Sequence, residues 1–158
     1  MERITRIGDY LRTLAARVGL PMCGAGRTME GTHRMEVVRA AEGETVESST
    51  AEIFQGGHVW ARRIAGGDTG RGDQMSFGIV QFAAGARTKL HRHTSDQLLY
   101  VVAGIGKVGA GGEEHVISAG DFIHIPAGED HWHGAGDTGS PMSHITIMLD
   151  DAVSTVTE

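Results

Sequence analysis

The sequence predicts an all-β barrel or sandwich preceded by one short helix. From residue 52 onward, short apolar runs alternate with Gly and Asp, the pattern of many short strands joined by tight turns. The chain of 158 residues contains 24 Gly and only three Pro, which suits such turns. Helical patterning is absent from this part, so a parallel sheet built from βαβ units is a poor fit.

The N-terminal part has a different texture. Apolar side chains recur there at a helical period, at Ile4, Ile7, Leu11, Leu14 and Val18. This pattern predicts one amphipathic helix over residues 3–18, and the Gly-rich stretch after it predicts a linker. We therefore divide the chain into an N-terminal helix and linker extension (1–50), a barrel (51–150) and a C-terminal tail (151–158).

Seven apolar runs predict the strands of the barrel. They are Ile53–Phe54, His58–Ile64, Met75–Ala83, Leu98–Ala103, Val116–Ile117, Phe122–Ile125 and Ser143–Leu149. The motif Gly104-x-Gly106-x-x-Gly109 follows one of these runs and resembles a dinucleotide-binding turn. Such a turn must open a helix, but the next residues lead into another short strand, so the motif is interpreted as coincidental.

Composition narrows the class of partner. The formal net charge is −6, and Lys and Arg are scattered, which argues against nucleic acid and favours a small-molecule ligand. The single Cys23 cannot form an internal disulfide, and Glu2 and Asp9 interrupt the apolar core that a signal peptide needs. No apolar run approaches ~18 residues. We expect a cytoplasmic protein without a membrane partner, and a homodimer that covers its edge strands.

Three histidines and one glutamine form a candidate metal site. His91 and His93 are separated by one residue, which places both rings on one face of a strand. Gln97 follows after a short turn, and His131 returns on a distant strand after a Pro-x-Gly turn. Three ring nitrogens and one amide oxygen would then converge on one divalent ion, and Mn, Fe, Ni, Co and Zn all suit such donors.

The spacing of these residues resembles the two motifs of the cupin superfamily. The first motif is matched by Gly85, His91-Arg92-His93, Gln97 and Gly104, and the second by Gly120, Pro126-Ala127-Gly128 and His131. Gln97 stands where the superfamily usually has Glu, and Ala135 where it often has Asn. The resemblance implies a double-stranded β-helix, or jelly-roll barrel, with the metal held by His91, His93, Gln97 and His131.

Two further segments are similar to a narrower group, the bacterial cupins that resemble manganese-dependent hydroxynitrile lyases and are often named beside carboxymuconolactone decarboxylases. These segments run from Gly128 to Ala135, through His131-Trp132-His133, and from Met142 to Ile145. This resemblance favours manganese and implies a proton-transfer role for His144. Strand alternation also puts His144, Thr146 and Met148 on one face, where an uncoordinated imidazole could act as a general base.

The amide ligand bears on the reaction class. A Glu ligand would cancel one unit of the metal's charge, whereas Gln97 leaves the full double charge and a stronger Lewis acid. The sequence therefore favours non-redox chemistry on a small oxygenated molecule, of the lyase or decarboxylase type. Two alternatives stay open: a cupin-type dioxygenase, and a cupin that binds a ligand without turnover.

Overall fold

The computed structural model describes residues 4–5, 35–67, 69–71 and 74–158, and its elements are almost all strands. In chain order they are β1 (Ile4–Thr5), β2 (Val46–Glu47), β3 (Phe54–Gln55), β4 (Val59–Ala65), β5 (Met75–Phe82), β6 (Arg87–Thr88), β7 (His91–His93), β8 (Gln97–Ala110), β9 (Glu113–Ser118), β10 (Phe122–Ile125), β11 (His131–Gly134), a 3₁₀ turn (Gly136–Thr138), β12 (Met142–Leu149) and β13 (Ser154–Val156). The all-β prediction is confirmed.

The strands form one curled antiparallel sheet with two layers. The first layer contains β1, β13, β7 and β11 in order, with β6, β3 and β9 beside them, and the second contains β10, β8, β12, β5, β4 and β2. The long strand β8 belongs to both layers. Its first half pairs with β12 and β10, and its second half pairs with β9 and β11. One continuous strand thus joins the two layers, and the candidate metal site lies between them.

The predicted N-terminal helix lies almost wholly outside the described residues. Of residues 3–18 only Ile4–Thr5 are described, and they pair as a strand with Thr155 and Ser154. The described sheet also includes Val46–Glu47, which pairs with β4, and Ser154–Val156, which pairs with β7. The division of the chain at residues 51 and 151 stays a prediction. Within the described ranges no helix has the length and hydropathy needed to cross a membrane.

The interior between the layers is apolar at one end and polar at the other. The apolar core consists of Val59, Phe82, Ala86, Val101, Val108, Ile117, Ala135 and Met142. Strand alternation separates the two faces, since Gln97, Leu99 and Val101 are buried on β8 while Leu98 and Val102 are exposed. Inward positions at the polar end carry the histidines and Gln97.

The three glycines of the Gly-x-Gly-x-x-Gly motif lie inside β8 and open no helix, as expected. Each permits a close approach. A Cβ at Gly104 would meet the Pro141 carbonyl oxygen, and one at Gly109 would meet the Trp132 indole. Gly104 also has φ +81°, at the point where β8 changes partners. The glycines of this motif therefore allow neighbouring segments to pack closely against β8. Gly104 also lets β8 turn from one layer into the other.

We expect Gly104→Ala to lower the free energy of unfolding by about 2–4 kcal/mol, because the new methyl group combines a left-handed backbone with a clash against Pro141. Gly112→Ala is the matched control, since Gly112 has φ +86° but nothing within 4 Å of its added Cβ. The control should lose only about 1 kcal/mol. Urea unfolding of the two variants measures the difference, and equal losses would contradict the packing role.

Candidate metal centre

Strand pairing brings the first and second histidine motifs together. Strand β7 presents His91 and His93 inward and Arg92 outward, as the one-residue spacing predicts. Strand β11 runs antiparallel to β7, with His131 directly opposite His91. The ring centroids of His91 and His131 lie 4.2 Å apart, and those of His93 and His131 lie 5.3 Å apart. Three of the four predicted ligands therefore share one buried cavity.

Gln97 reaches the same cavity from the first position of β8. Its Oε1 lies 3.1 Å from Nε2 of His131, and its Nε2 donates to Oγ1 of Thr146 at 3.0 Å. Nδ1 of His131 donates to the Glu129 carbonyl at 2.9 Å, so in the neutral ring Nε2 carries a lone pair. Two acceptor atoms thus face each other at hydrogen-bond distance. Such a contact is repulsive unless a cation or a proton lies between them.

The other rings also turn free nitrogens inward. Nδ1 of His91 donates to the Lys89 carbonyl at 2.8 Å, which leaves Nε2 as an acceptor. Nδ1 of His93 lies 2.8 Å from Oγ of Ser154, and His93 Nε2 is buried without a hydrogen-bond partner. Hydrogen bonds of this kind to the distal ring nitrogen fix the orientation of metal-binding histidines. These ring nitrogens and the amide oxygen therefore suit a divalent ion. Hydrogen bonds within the protein already orient the side chains that carry them.

His133 belongs to this cluster, although the sequence analysis did not single it out as a ligand. One nitrogen each from His91, His131 and His133 lie within 4.8 Å of one another, and all three residues are buried, so this group could hold a metal ion. His133 follows His131 by two positions on β11 and shares its face. The signal that could have found it is the His-x-His spacing, which His131 and His133 repeat from β7.

His144 faces the interior from β12, as strand alternation predicts. It is buried, and its Nε2 lies 3.2 Å from Nδ1 of His133. Phe82 packs against both rings, with centroid distances of 6.1 Å to His133 and 5.6 Å to His144. Thr146 faces the same cavity through its bond to Gln97. The structure thus places the ring of His144 against the ring of His133. His133 in turn lies next to His131, so His133 separates His144 from His131.

Burial keeps these imidazoles neutral. Desolvation, with smaller contributions from neighbouring rings, lowers the pKa of His91 and His133 well below 6.5. Burial, followed by the nearby His131, lowers the pKa of His93 to about 4, and burial lowers that of His144 to about 4. The buried polar residues of the described chain include no Asp or Glu. The cavity is therefore a set of uncharged nitrogen and oxygen donors, the protonation state that metal binding requires.

Comparison with known proteins agrees with this arrangement. Residues 78–148 match the family described as Cupin domain. The structure of a cupin-like protein from Thermotoga maritima superposes with a TM-score of 0.59 and 30% sequence identity, over 65% of this chain and 75% of that one. The chain belongs to the cupin superfamily, as its two histidine motifs predict.

Two curated relatives are lyases. An (R)-mandelonitrile lyase of Granulicella tundricola is 44% identical over 70 residues, which cover 44% of this chain and 53% of that protein. A dimethylsulfoniopropionate lyase of Ruegeria pomeroyi is 31% identical over 100 residues, which cover 63% of this chain and 66% of that protein. The chain thus spans less than two thirds of the length of either relative. The similarity shows that this cupin has relatives that are named as lyases.

The depressed pKa values predict a loss of stability in acid for metal-stripped protein. Between pH 6.5 and about 4 the histidines of the unfolded state bind protons, whereas the buried histidines of the folded state do not. The free energy of unfolding therefore falls as the pH falls through this window. His144 alone should account for about 2–3 kcal/mol between pH 7 and pH 4.5.

Urea unfolding of chelated parent and His144→Gln proteins at both pH values measures this contribution. The stability difference between the two proteins should change by about that amount, because titrating groups away from His144 cancel, and the substitution also removes the smaller effect of His144 on the pKa of His133. A difference independent of pH would show that His144 is not held neutral by burial.

Proposed function

We propose that this cupin is a metal-dependent lyase that acts on a small oxygenated organic molecule. In this proposal His91, His93, Gln97 and His131 hold one divalent ion, with manganese favoured among Mn, Fe, Ni, Co and Zn by the resemblance of the motifs. The observation that carries the proposal is the 3.1 Å distance between Oε1 of Gln97 and Nε2 of His131. Both atoms are acceptors, and a cation bound between them would remove their repulsion.

The chemistry follows from the charge of the donors. All four are neutral, so a bound divalent ion would keep its full charge and act as a Lewis acid that polarises a substrate oxygen and stabilises developing negative charge on it. The hydrogen bond from Gln97 to Thr146 holds the amide with its oxygen toward the histidines. The carbonyls of Lys89 and Glu129 do the same for the rings of His91 and His131.

His144 is the proposed general base. At neutral pH its ring is unprotonated, because burial lowers its pKa to about 4, and it can accept a proton from a substrate hydroxyl. The low pKa also makes the protonated ring a good acid, which returns the proton readily to a leaving group. Nδ1 of His133 lies against Nε2 of His144 and fixes the ring, while Phe82 packs against both imidazoles.

The two curated relatives support the reaction class. Both are named as lyases, but for different substrates, mandelonitrile in one and dimethylsulfoniopropionate in the other. A lyase reaction on a small molecule is common to both, so we propose that class without a particular natural substrate. A cytoplasmic location belongs to the same proposal, since one Cys among 158 residues suits a reducing compartment.

Two substitutions separate a ligand from a base. His131→Ala removes one of four donors and should abolish stoichiometric metal binding and activity together. His144→Ala should keep the metal but lower turnover by about 10²-fold or more, the usual scale of a lost general base. Metal analysis of each purified variant, together with mandelonitrile cleavage by the manganese-loaded proteins, makes the comparison.

Each outcome has a clear reading. Full metal occupancy in His131→Ala would refute the ligand assignment, and parental turnover in His144→Ala would remove His144 from the mechanism. Oxygen uptake in the presence of substrate would favour the dioxygenase alternative. Tight binding of small hydroxylated molecules without any product would favour a cupin that only binds its ligand.

A further inference from the structure

Strand β13 lies directly against β7, the strand that carries two of the candidate ligands. The two strands are antiparallel, with Ser154 opposite His93 and Thr155 opposite Arg92. Side chains that are directly opposite in an antiparallel pair lie on the same face of the sheet. Ser154 therefore shares the inner face with His93 and is only 4% exposed, whereas Thr155 shares the outer face with Arg92 and is half-buried.

The three histidines of the proposed centre differ in what holds the outer nitrogen of the ring. For His91 and His131 the partner is local, since Nδ1 donates to the backbone carbonyl two residues earlier. For His93 the partner is a side chain 61 residues later in the chain: Nδ1 lies 2.8 Å from Oγ of Ser154, and the contact is buried. The orientation of the His93 ring thus depends on the docking of β13.

The contact with Ser154 also bears on which nitrogen of His93 carries the proton. A hydroxyl oxygen can accept a hydrogen bond from Nδ1–H, and the neutral ring then has an unprotonated Nε2. Nε2 of His93 is buried and has no hydrogen-bond partner in the described structure, and its ring centroid lies 5.3 Å from that of His131. An unprotonated nitrogen in this position is what a metal ligand requires.

The other bonds of this segment hold it to the residues that flank the ligands. The backbone N–H of Thr94 donates to the Val153 carbonyl at 3.0 Å, and the Val153 N–H donates to Oγ1 of Thr94 at 2.9 Å. The N–H of Thr157 donates to the Leu90 carbonyl at 2.9 Å. These bonds position β13 along β7, and the Ser154 hydroxyl extends from it to a ligand ring.

We propose that Ser154 is a positioning residue that couples the docking of β13 to metal binding. The docked strand holds His93 in the form that binds an ion. An ion on Nε2 in turn leaves Nδ1–H as the form of the neutral ring, and its charge makes that N–H a stronger donor to Ser154. Such coupling is reciprocal, so the metal favours the docked strand by the factor by which docking raises metal affinity. The inference rests on the metal centre of the proposed function but not on the proposed reaction.

The affinity of the full chain for Mn²⁺ tests the first half of this coupling. Ser154→Ala removes the hydroxyl and should weaken Mn²⁺ binding about 10- to 100-fold. Ser154→Thr keeps a hydroxyl and should restore most of the affinity. Thr155→Val is the matched control, because it removes a hydroxyl from the outer face of the same strand, and it should bind as the parent does. Electron paramagnetic resonance of free Mn²⁺ measures binding, and far-ultraviolet circular dichroism checks that each variant is folded.

Hydrogen–deuterium exchange tests the second half on the parent itself. Amide exchange of residues 154–156 reports the opening of β13, and β9 (Glu113–Ser118), which pairs with the second half of β8, provides the reference. Saturating Mn²⁺ should slow exchange in β13 about tenfold or more beyond any slowing in β9. In Ser154→Ala this additional slowing should be lost.

The outcomes separate this inference from the proposed function. A folded Ser154→Ala protein that binds Mn²⁺ as tightly as the parent would overturn the inference alone, and the metal centre would stand. Binding by Ser154→Thr as weak as that of Ser154→Ala would show that the hydroxyl is not responsible. Exchange in β13 that Mn²⁺ leaves unchanged in a metal-binding parent would refute the coupling. A folded parent that binds no Mn²⁺ would contradict the metal centre and this inference together.

Discussion

The antiparallel pairing of β7 with β11, which sets His91 opposite His131, is the constraint on which the rest of the site depends. Because side chains alternate along a strand, this one register also determines that His93 and His133 face the same cavity. A shift of one residue would turn the histidines of one strand out to solvent. The long strand β8 then brings Gln97 from one wall to the histidines of the other, and Gly104 lets that strand pass between the walls.

The site is built at a cost in stability. Five imidazoles lie buried without a carboxylate to pair with them, and the buried nitrogens His93 Nε2, His133 Nε2 and His144 Nδ1 have no hydrogen-bond partner in the described structure. A buried polar atom left without a partner costs about 1–3 kcal/mol. The packed apolar core around Phe82 and Val101 must offset this cost. A bound ion would satisfy some of these atoms and return part of the lost stability.

Local sequence patterns predicted the fold class and the closeness of His91, His93 and Gln97, because period-two alternation and turn spacing are local properties. The return of His131 to the same site was instead implied by the resemblance to the two cupin motifs. His133 was not predicted as a ligand, because its strand, His131–Gly134, is too short and polar to stand out as an apolar run. The two halves of β8 were not predicted to form one strand of 14 residues, since Gly104, Gly106 and Gly109 read as a break. Their role depends on Pro141, Gly134 and Trp132, which are distant in sequence and near only after folding.

The central claim is that three imidazole nitrogens and one amide oxygen hold a single divalent ion. X-ray absorption spectroscopy of the metal-loaded protein, with metal content determined on the same sample, tests it most directly. The account predicts one ion per chain, a first shell of nitrogen and oxygen only, and outer-shell scattering from three imidazoles. A chain that takes up none of Mn, Fe, Ni, Co or Zn, or a shell containing fewer than three imidazoles, would contradict it.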